Sequence, residues 1–232
     1  MANNEEQLVF LDNLPENYSL EVPAGESKTL RLVAFDHLPA KLHFVINVHR
    51  DALFRGAFID FTDVSTEFDL VVNLLEEGAQ CDWHLAVLSR GTANQKFVTS
   101  VNHMAPHTEA LMSNYGIARE HSHLVFSGTS AIQQGAKKSI TRQEAKIIVF
   151  DASATGLASP ILLIGENDVQ ASHAAIVGRL NEDHLFYLES RGVNEETAKR
   201  LIALGYLKPI ERYFDDEKMV QKIDAVIEGG IA

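Results

Sequence analysis

Asp168 to Tyr213 reads DVQASHAAIVGRLNEDHLFYLESRGVNEETAKRLIALGYLKPIERY, and within it the chain changes its period. From Asp168 to Val177 the pattern alternates as in a strand, so Val169, Ala171, His173, Ala175 and Val177 share one face and Gln170, Ser172, Ala174 and Ile176 the other. A lone histidine therefore sits in a row of small apolar residues. Past Gly178, Asn181 is an N-cap, Glu182 and Asp183 suit the positive end of a helix dipole, and Leu185, Phe186 and Leu188 continue an apolar face up to Arg191-Gly192. The spacing predicts helices over 182–191 and 195–204. The second is capped by Asn194, buries Ala198, Leu201, Ile202 and Leu204, and stops at Gly205 before Pro209. Met219, Val220, Ile223, Val226 and Ile227 then recur at helical spacing.

Upstream, the chain is a long series of short alternating segments. Leu42, Phe44, Ile46 and Val48 point one way, Lys41, His43, Asn47 and His49 the other, and Phe68, Leu70, Val72 and Leu74 repeat the pattern. No amphipathic helix is predicted before Asn181. The clearest segments open at Leu42, Phe68, Phe97 and Leu124, which are 26, 29 and 27 residues apart, with a weaker segment between each pair. That period suggests a solenoid of two strands per turn, and the turn sequences EEGAQ (Glu76–Gln80) and QQGAK (Gln133–Lys137) lie two periods apart. On spacing alone a β-sandwich or jelly roll, which also uses many short strands, is the default reading.

A hydrophobic content of 46% in 232 residues is ample for a packed core, and a formal charge of −12 without any Lys/Arg run argues against nucleic acid or an anionic membrane as partner. No apolar run approaches the roughly 20 residues of a membrane span, and MANNEEQLV lacks the order of a signal peptide; a cytoplasmic protein is expected. No phosphate-binding glycine loop and no serine-nucleophile motif occurs.

ASHAAIVGRL, EDHLFYLESRGV and ALGYLKPI, together with His103-Met104-Ala105-Pro106-His107-Thr108, Phe126-Ser127-Gly128 and Gly135-Ala136, resemble the SufB/SufD family of iron–sulfur cluster assembly proteins, on the SufD side. The resemblance covers roughly the second half of the chain. It implies a mainly β fold: a right-handed β-helix core over 19–178 behind an N-terminal arm (1–18, partly ordered), with a small C-terminal helical module over 179–232. The additional helical region that relatives carry before the core does not fit in this length. It further implies a non-catalytic scaffold subunit that pairs through its core with a SufB-like chain or a second copy of itself and docks a SufC-type ATPase through its terminal helices. No cofactor is then expected in the isolated chain, and an iron–sulfur cluster would be held transiently in the complex.

His173 matches the histidine that the family places at the subunit junction, so the resemblance makes it the cluster-assembly candidate; on the residues alone, a hydrogen-bonded core histidine serves equally well. Ala171 stands where many relatives have a cysteine. Ala175 and Val177 on the expected pairing edge, and Phe186, Tyr187 and Arg191 on the first helix, are the partner-interface candidates; because Phe186, Tyr187 and Leu188 are contiguous, at least one aromatic should face a partner. Of the ten histidines, His103 with His107 and His121 with His123 are the tightest groups. The second pair is expected on one strand face but has no Asp, Glu or Cys beside it in a metal-ligand motif, and Pro106 between the first pair makes that segment a loop. The single Cys81 shares a face with Trp83, Leu85 and Val87 and reads as a buried thiol. The enzymatic alternative is a His-rich, cupin-like metal-dependent enzyme, which needs a barrel mouth with a carboxylate near the histidines.

Overall fold

The computed structural model describes residues 5–231. The strands, in chain order, are β1 (Glu5–Leu11), β2 (Asn17–Val22), β3 (Ser27–Ala34), β4 (Lys41–Val48), β5 (Leu53–Asp60), β6 (Thr66–Leu74), β7 (Gln80–Ser89), β8 (Asn94–His103), β9 (Glu109–Ala118), β10 (His123–Ile132), β11 (Ile140–Val149), β12 (Thr155–Ile164) and β13 (Gln170–Arg179). Odd strands form one sheet in the order β1-β3-β5-β7-β9-β11-β13, even strands the other in the order β12-β10-β8-β6-β4-β2. Every strand pairs in parallel with the one two places along. This is a β-solenoid of two strands per turn; the sandwich and jelly roll, built of antiparallel strands, and the cupin-like barrel are set aside.

Alternation explains the coil, because each strand turns one apolar row inward, where identical positions of successive turns stack. Leu42, Phe68, Phe97 and Phe126 share one register column, with Phe68–Phe97 and Phe97–Phe126 ring centroids 6.3 and 5.9 Å apart. The fourth member is Phe126, not Leu124 as the sequence spacing suggested: Leu124 lies opposite Gln95, a buried polar residue that the apolar pattern skipped. In the facing sheet Trp83 stacks on Phe68 at 5.9 Å and lies in register with Gly56, where a Cβ would come within 2.4 Å of the indole. The EEGAQ and QQGAK turns occupy equivalent corners, each with its glycine at positive φ (Gly78 +75°, Gly135 +93°) and its alanine fully buried.

The stretch expected as an arm, 1–18, carries β1 and the first two residues of β2. β1 pairs with β3 in full register and Leu8 and Phe10 pack on the core, while residues 1–4 of that stretch lie outside the described residues.

The helices are α1 (Glu182–Ser190), α2 (Glu195–Leu207) and α3 (Glu217–Gly229), with a 3-10 turn over Lys208–Tyr213. Asn181 and Asn194 cap as expected: their side chains accept from Asp183 and His184 N–H and from Thr197 N–H. α2 does not stop at Gly205. It runs to Leu207, which is 1% exposed and anchored on the sheet, and only Pro209 ends the α-helical ladder. Its buried face is Ala198, Ala203 and Leu207, whereas Leu201, predicted inside, is 49% exposed.

α2, the 3-10 turn and α3 cover the outer face of the odd sheet. Ile210, Phe214, Ile223, Ile227 and Ile231 form a second core with Val33, Phe35, Ala57, Ile59, Phe61, Ala86, Leu88 and Ile117. This is why β3, β5 and β7 are buried on both faces, unlike the alternating even strands. Two arginines fasten the edges. Arg31 donates to Tyr213 O and to Asp215 Oδ2 (3.2 Å), and Arg119 donates to Gly230 O (3.1 Å) while paired with Asp151.

Candidate functional site

The last turn of the solenoid is open. β12 and β13 end their sheets, and no strand or helix among the described residues stacks on them. β13 is exposed along nearly its whole length, and Leu157, Ile161, Leu163, Ile164, Ile176 and Val177 are between 42% and 56% exposed. Of these, Ile164 and Val177 stand in the inward rows over buried Ile132 and Ile147, while Leu157, Ile161 and Leu163 lie on the outer face of the even sheet and Ile176 on that of the odd sheet; exposed apolar side chains on an uncovered final turn mark an interaction site.

His173 belongs to this end. Its register partner on β11 is Gln143, and Ala171, Ala175 and Val177 lie over Thr141, Ala145 and Ile147, all of them buried inward residues. The imidazole therefore stands in the inward row, as the alternation predicts, yet it is exposed because no further turn covers it. Beneath it the interior changes character. The middle turns are filled by Phe68, Trp83, Phe97 and Phe126, whereas at the end Gly156, Ala158, Ala171 and Ala175 occupy inward positions. Polar side chains join them: Gln143 Nε2 donates to Ser130 Oγ (2.6 Å) and Ile161 O (3.2 Å), and Thr141 donates to Ser130 (2.9 Å). Buried Gln143 Oε1 and Asn114 Oδ1 have no hydrogen-bond partner among the described residues. The apolar periodicity did not flag this layer; the signal available was the loss of aromatic residues from inward positions after Phe126.

Arg179 ends β13 and Glu182 starts α1, so the open end continues directly into the first helix. α1 buries no residue; Phe186 and Tyr187 are 71% and 56% exposed, and the Arg191 guanidinium lies 5.0 Å from the Tyr187 ring. Ala175, Val177, Phe186, Tyr187 and Arg191 thus fall on consecutive exposed elements.

The remaining histidines are dispersed. His103 is fully buried, with Nδ1 2.8 Å from Thr108 Oγ1, and burial alone pushes its pKa down to about 4, so it is neutral at pH 7. His107 sits in the adjoining turn at φ +57°, exposed, 4.0 Å from Glu77. His121 and His123 do not share a strand face: His121 lies in the turn and His123 opens β10, bonded to Thr155. The short turn ends the preceding strand at Ala118, which the residue spacing did not reveal. Just past the end of β4, His49 bridges Glu76 (3.0 Å) and Glu21 (2.9 Å), and its hydrogen bonds to these carboxylates raise its pKa. Among the described residues no group of three or more His, Cys, Asp or Glu is arranged to hold a metal ion. Cys81 is buried beside Trp83, and desolvation drives its pKa far above that of a reactive thiol. No helix among the described residues is long and apolar enough to cross a membrane.

Comparison with known proteins gives this geometry a family. Residues 21–206 match the family model described as the SUF system FeS cluster assembly SufBD core domain. The chain is 31% identical over 217 residues to the iron-sulfur cluster assembly protein SufD of Bacillus subtilis (strain 168), covering 91% of this chain and 50% of that protein. It is 26% identical over 149 residues to an iron-sulfur cluster assembly SufBD family protein of Staphylococcus epidermidis (64% of this chain, 32% of that one), and 27% identical over 132 residues to one of Mycobacterium tuberculosis (56% and 16%). The chain thus spans about half the length of the SufD it matches, and less of the others. The match takes in most of the solenoid, the open end with its histidine and the first two helices, and the chain belongs to the SufBD family of iron–sulfur cluster assembly proteins.

Proposed function

We propose that the chain is a non-catalytic scaffold subunit of a SUF-type iron–sulfur assembly complex, pairing through the open end of its solenoid and docking a SufC-type ATPase through its C-terminal helices. The observation that carries this reading is the uncovered final turn, with His173, Val177 and Ile164 exposed in its inward rows and the exposed Phe186–Tyr187 pair directly downstream. An open solenoid end needs a partner for its free backbone groups, and a chain of this family finds one in a second copy or in a SufB-like subunit.

His173 is the residue we assign to cluster assembly. A neutral imidazole is a competent iron ligand, and with Ala171 two residues away and Cys81 sealed in the core, this chain offers no accessible thiolate of its own. Thiolates would come from across the junction, with the cluster as cargo of the complex rather than a resident group. The route from ATPase to junction is short in sequence: α1 follows β13 after two residues, so displacement of α1 acts on the edge strand that carries His173.

Copurification from the native cell, with the bound proteins identified, tests the reading. It predicts a SufC-type ATPase together with a SufB-like chain or a second copy; recovery of the chain as a monomer with neither would overturn it.

A further inference from the structure

Inside the last turns of the solenoid the inward rows bring several polar side chains to one place. Thr99, Gly128 and Pro160 stack in one inward column of the even sheet. Met112, Gln143 and His173 stack in one of the odd sheet, and Asn114 is the next inward residue after Met112. Gln143 Oε1 and Thr99 Oγ1 both border the bare Cα of Gly128, and Asn114 reaches Thr99 from the opposite sheet.

The hydrogen bonds of this group do not close on themselves. Both amide hydrogens of Gln143 are engaged, by Ser130 Oγ at 2.6 Å and Ile161 O at 3.2 Å, which leaves Oε1 an acceptor without a donor. Asn114 Nδ2 donates to Thr99 Oγ1 at 3.4 Å, and Asn114 Oδ1 likewise has no donor. The Thr99 hydroxyl accepts that bond, and its own hydrogen has no acceptor among the described residues. Thr99 is 1% exposed and Asn114 and Gln143 are 4% exposed, so bulk solvent does not reach these atoms. Turning the Asn114 amide over would pair its oxygen with the Thr99 hydroxyl but strand its nitrogen, so a third party is required either way. Buried acceptors left alone cost more than an ordinary hydrogen bond contributes.

Gly128 supplies the space. A Cβ at this position would come no nearer than 3.0 Å to any atom beyond its chain neighbours, and the oxygens it would meet are Gln143 Oε1 at 3.0 Å and Thr99 Oγ1 at 3.8 Å. The room that a side chain would fill is thus walled by oxygens whose hydrogen bonding is incomplete.

We infer that Thr99, Asn114 and Gln143 hold one water molecule against Gly128, beneath His173. One water satisfies all three groups: it donates to Gln143 Oε1 and Asn114 Oδ1 and accepts from the Thr99 hydroxyl, and three hydrogen bonds are what a buried water ordinarily makes. A cation fits less well, because the three groups are neutral and no carboxylate stands in the inward rows of these turns to offset a buried charge. The consequence is mechanical. Gln143 ties β11 to β10 and β12 across the interior and is the register partner of His173, so a water that holds its oxygen keeps the amide from turning over and releasing Ser130 and Ile161. None of this depends on a role in cluster assembly.

A crystal structure of the full chain at a resolution that shows ordered solvent tests the site. It should contain one solvent atom within about 2.6–3.2 Å of Gln143 Oε1, Asn114 Oδ1 and Thr99 Oγ1. No such density, side chains rearranged so that the oxygens meet protein donors, or stability that rises with Na+ or K+ at fixed ionic strength, the mark of a cation, would overturn the inference. Gly128→Ala gives an independent readout. Gly128 does not use the left-handed region, so alanine there ordinarily favours the fold by restricting the unfolded chain, and in a dry void the added methyl would raise the Tm. If the methyl instead displaces a water and strands both oxygens, the folding equilibrium constant should fall at least about tenfold. Asn114 is not among the atoms nearest that methyl, so crowding alone would cost the same in an Asn114→Leu background, whereas loss of the water should cost several-fold less there. A raised Tm, or an equal cost in both backgrounds, would overturn the inference.

Discussion

Replacing Phe186 or Tyr187 by alanine separates a docking surface from a structural helix. Phe186 is 71% exposed and α1 buries no residue, so truncation removes almost no packing in the free chain and should change its stability by no more than about 0.5 kcal/mol. An aromatic side chain covers about 150–250 Å², and at about 25 cal/mol per Å² the exposed seven-tenths of Phe186 represents about 3 kcal/mol when fully covered. Desolvation and ordering reduce that, which leaves about 1–3 kcal/mol per anchor, or about 5- to 150-fold in Kd. Tyr187→Ala also removes the ring under Arg191. Titration calorimetry of each variant against a SufC-type ATPase, with thermal unfolding of the same samples, reads both quantities. Unchanged affinity would refute the docking assignment, and a Tm drop of several degrees would show that these side chains support the fold instead.

Two further predictions concern the fold on which the site depends. Asp60 is fully buried between Thr62 and Gln95, and desolvation pushes its pKa up to about 7. An acid that binds its proton more tightly in the native state loses stability as pH rises from its unfolded value, near 3.8, through about 7. Asp60→Asn should therefore exceed wild type in Tm at pH 8, with Gln95 Oε1, unpartnered among the described residues, turned to accept from the new amide, and the gain should shrink towards pH 4; a variant less stable at every pH would contradict the assignment. Ile227→Ala empties a fully buried position between α3 and the odd sheet and should cost about 2–4 kcal/mol, read first as faster amide exchange in α3 while the β10–β11 amides stay slow. Simultaneous loosening of helix and solenoid would show that they unfold as one unit.

Much of this fold was legible because its grammar is local. Alternation at Leu42–Val48 and Phe68–Leu74 gives strands with one inward row, and Asn181 and Asn194 announce two helices by side-chain chemistry that needs no tertiary context. What failed depended on neighbours distant in sequence. Gly205 stops a helix only where packing does not hold it, and Leu207 against the sheet carries α2 past it. Leu201 and Ala203 exchanged the burial expected from periodicity because only one narrow face of α2 meets β9. Asp60, a charged residue at the end of β5, is sealed by a glutamine 35 residues away. His173 shows the boundary most clearly: the sequence places it in the inward row, but its exposure depends on the absence of a fourteenth strand above it among the described residues, a fact about the end of a stack that no window of residues contains.

The central claim is that an inward-row histidine on an open solenoid end serves cluster assembly and not the core. Formation of the iron–sulfur chromophore in the reconstituted complex, compared between wild type and His173→Ala, tests it most directly. The account predicts a marked loss of cluster yield with dimer and Tm unchanged, since the imidazole is exposed and makes no hydrogen bond among the described residues. Full yield from the variant, or unfolding of it, would contradict the account.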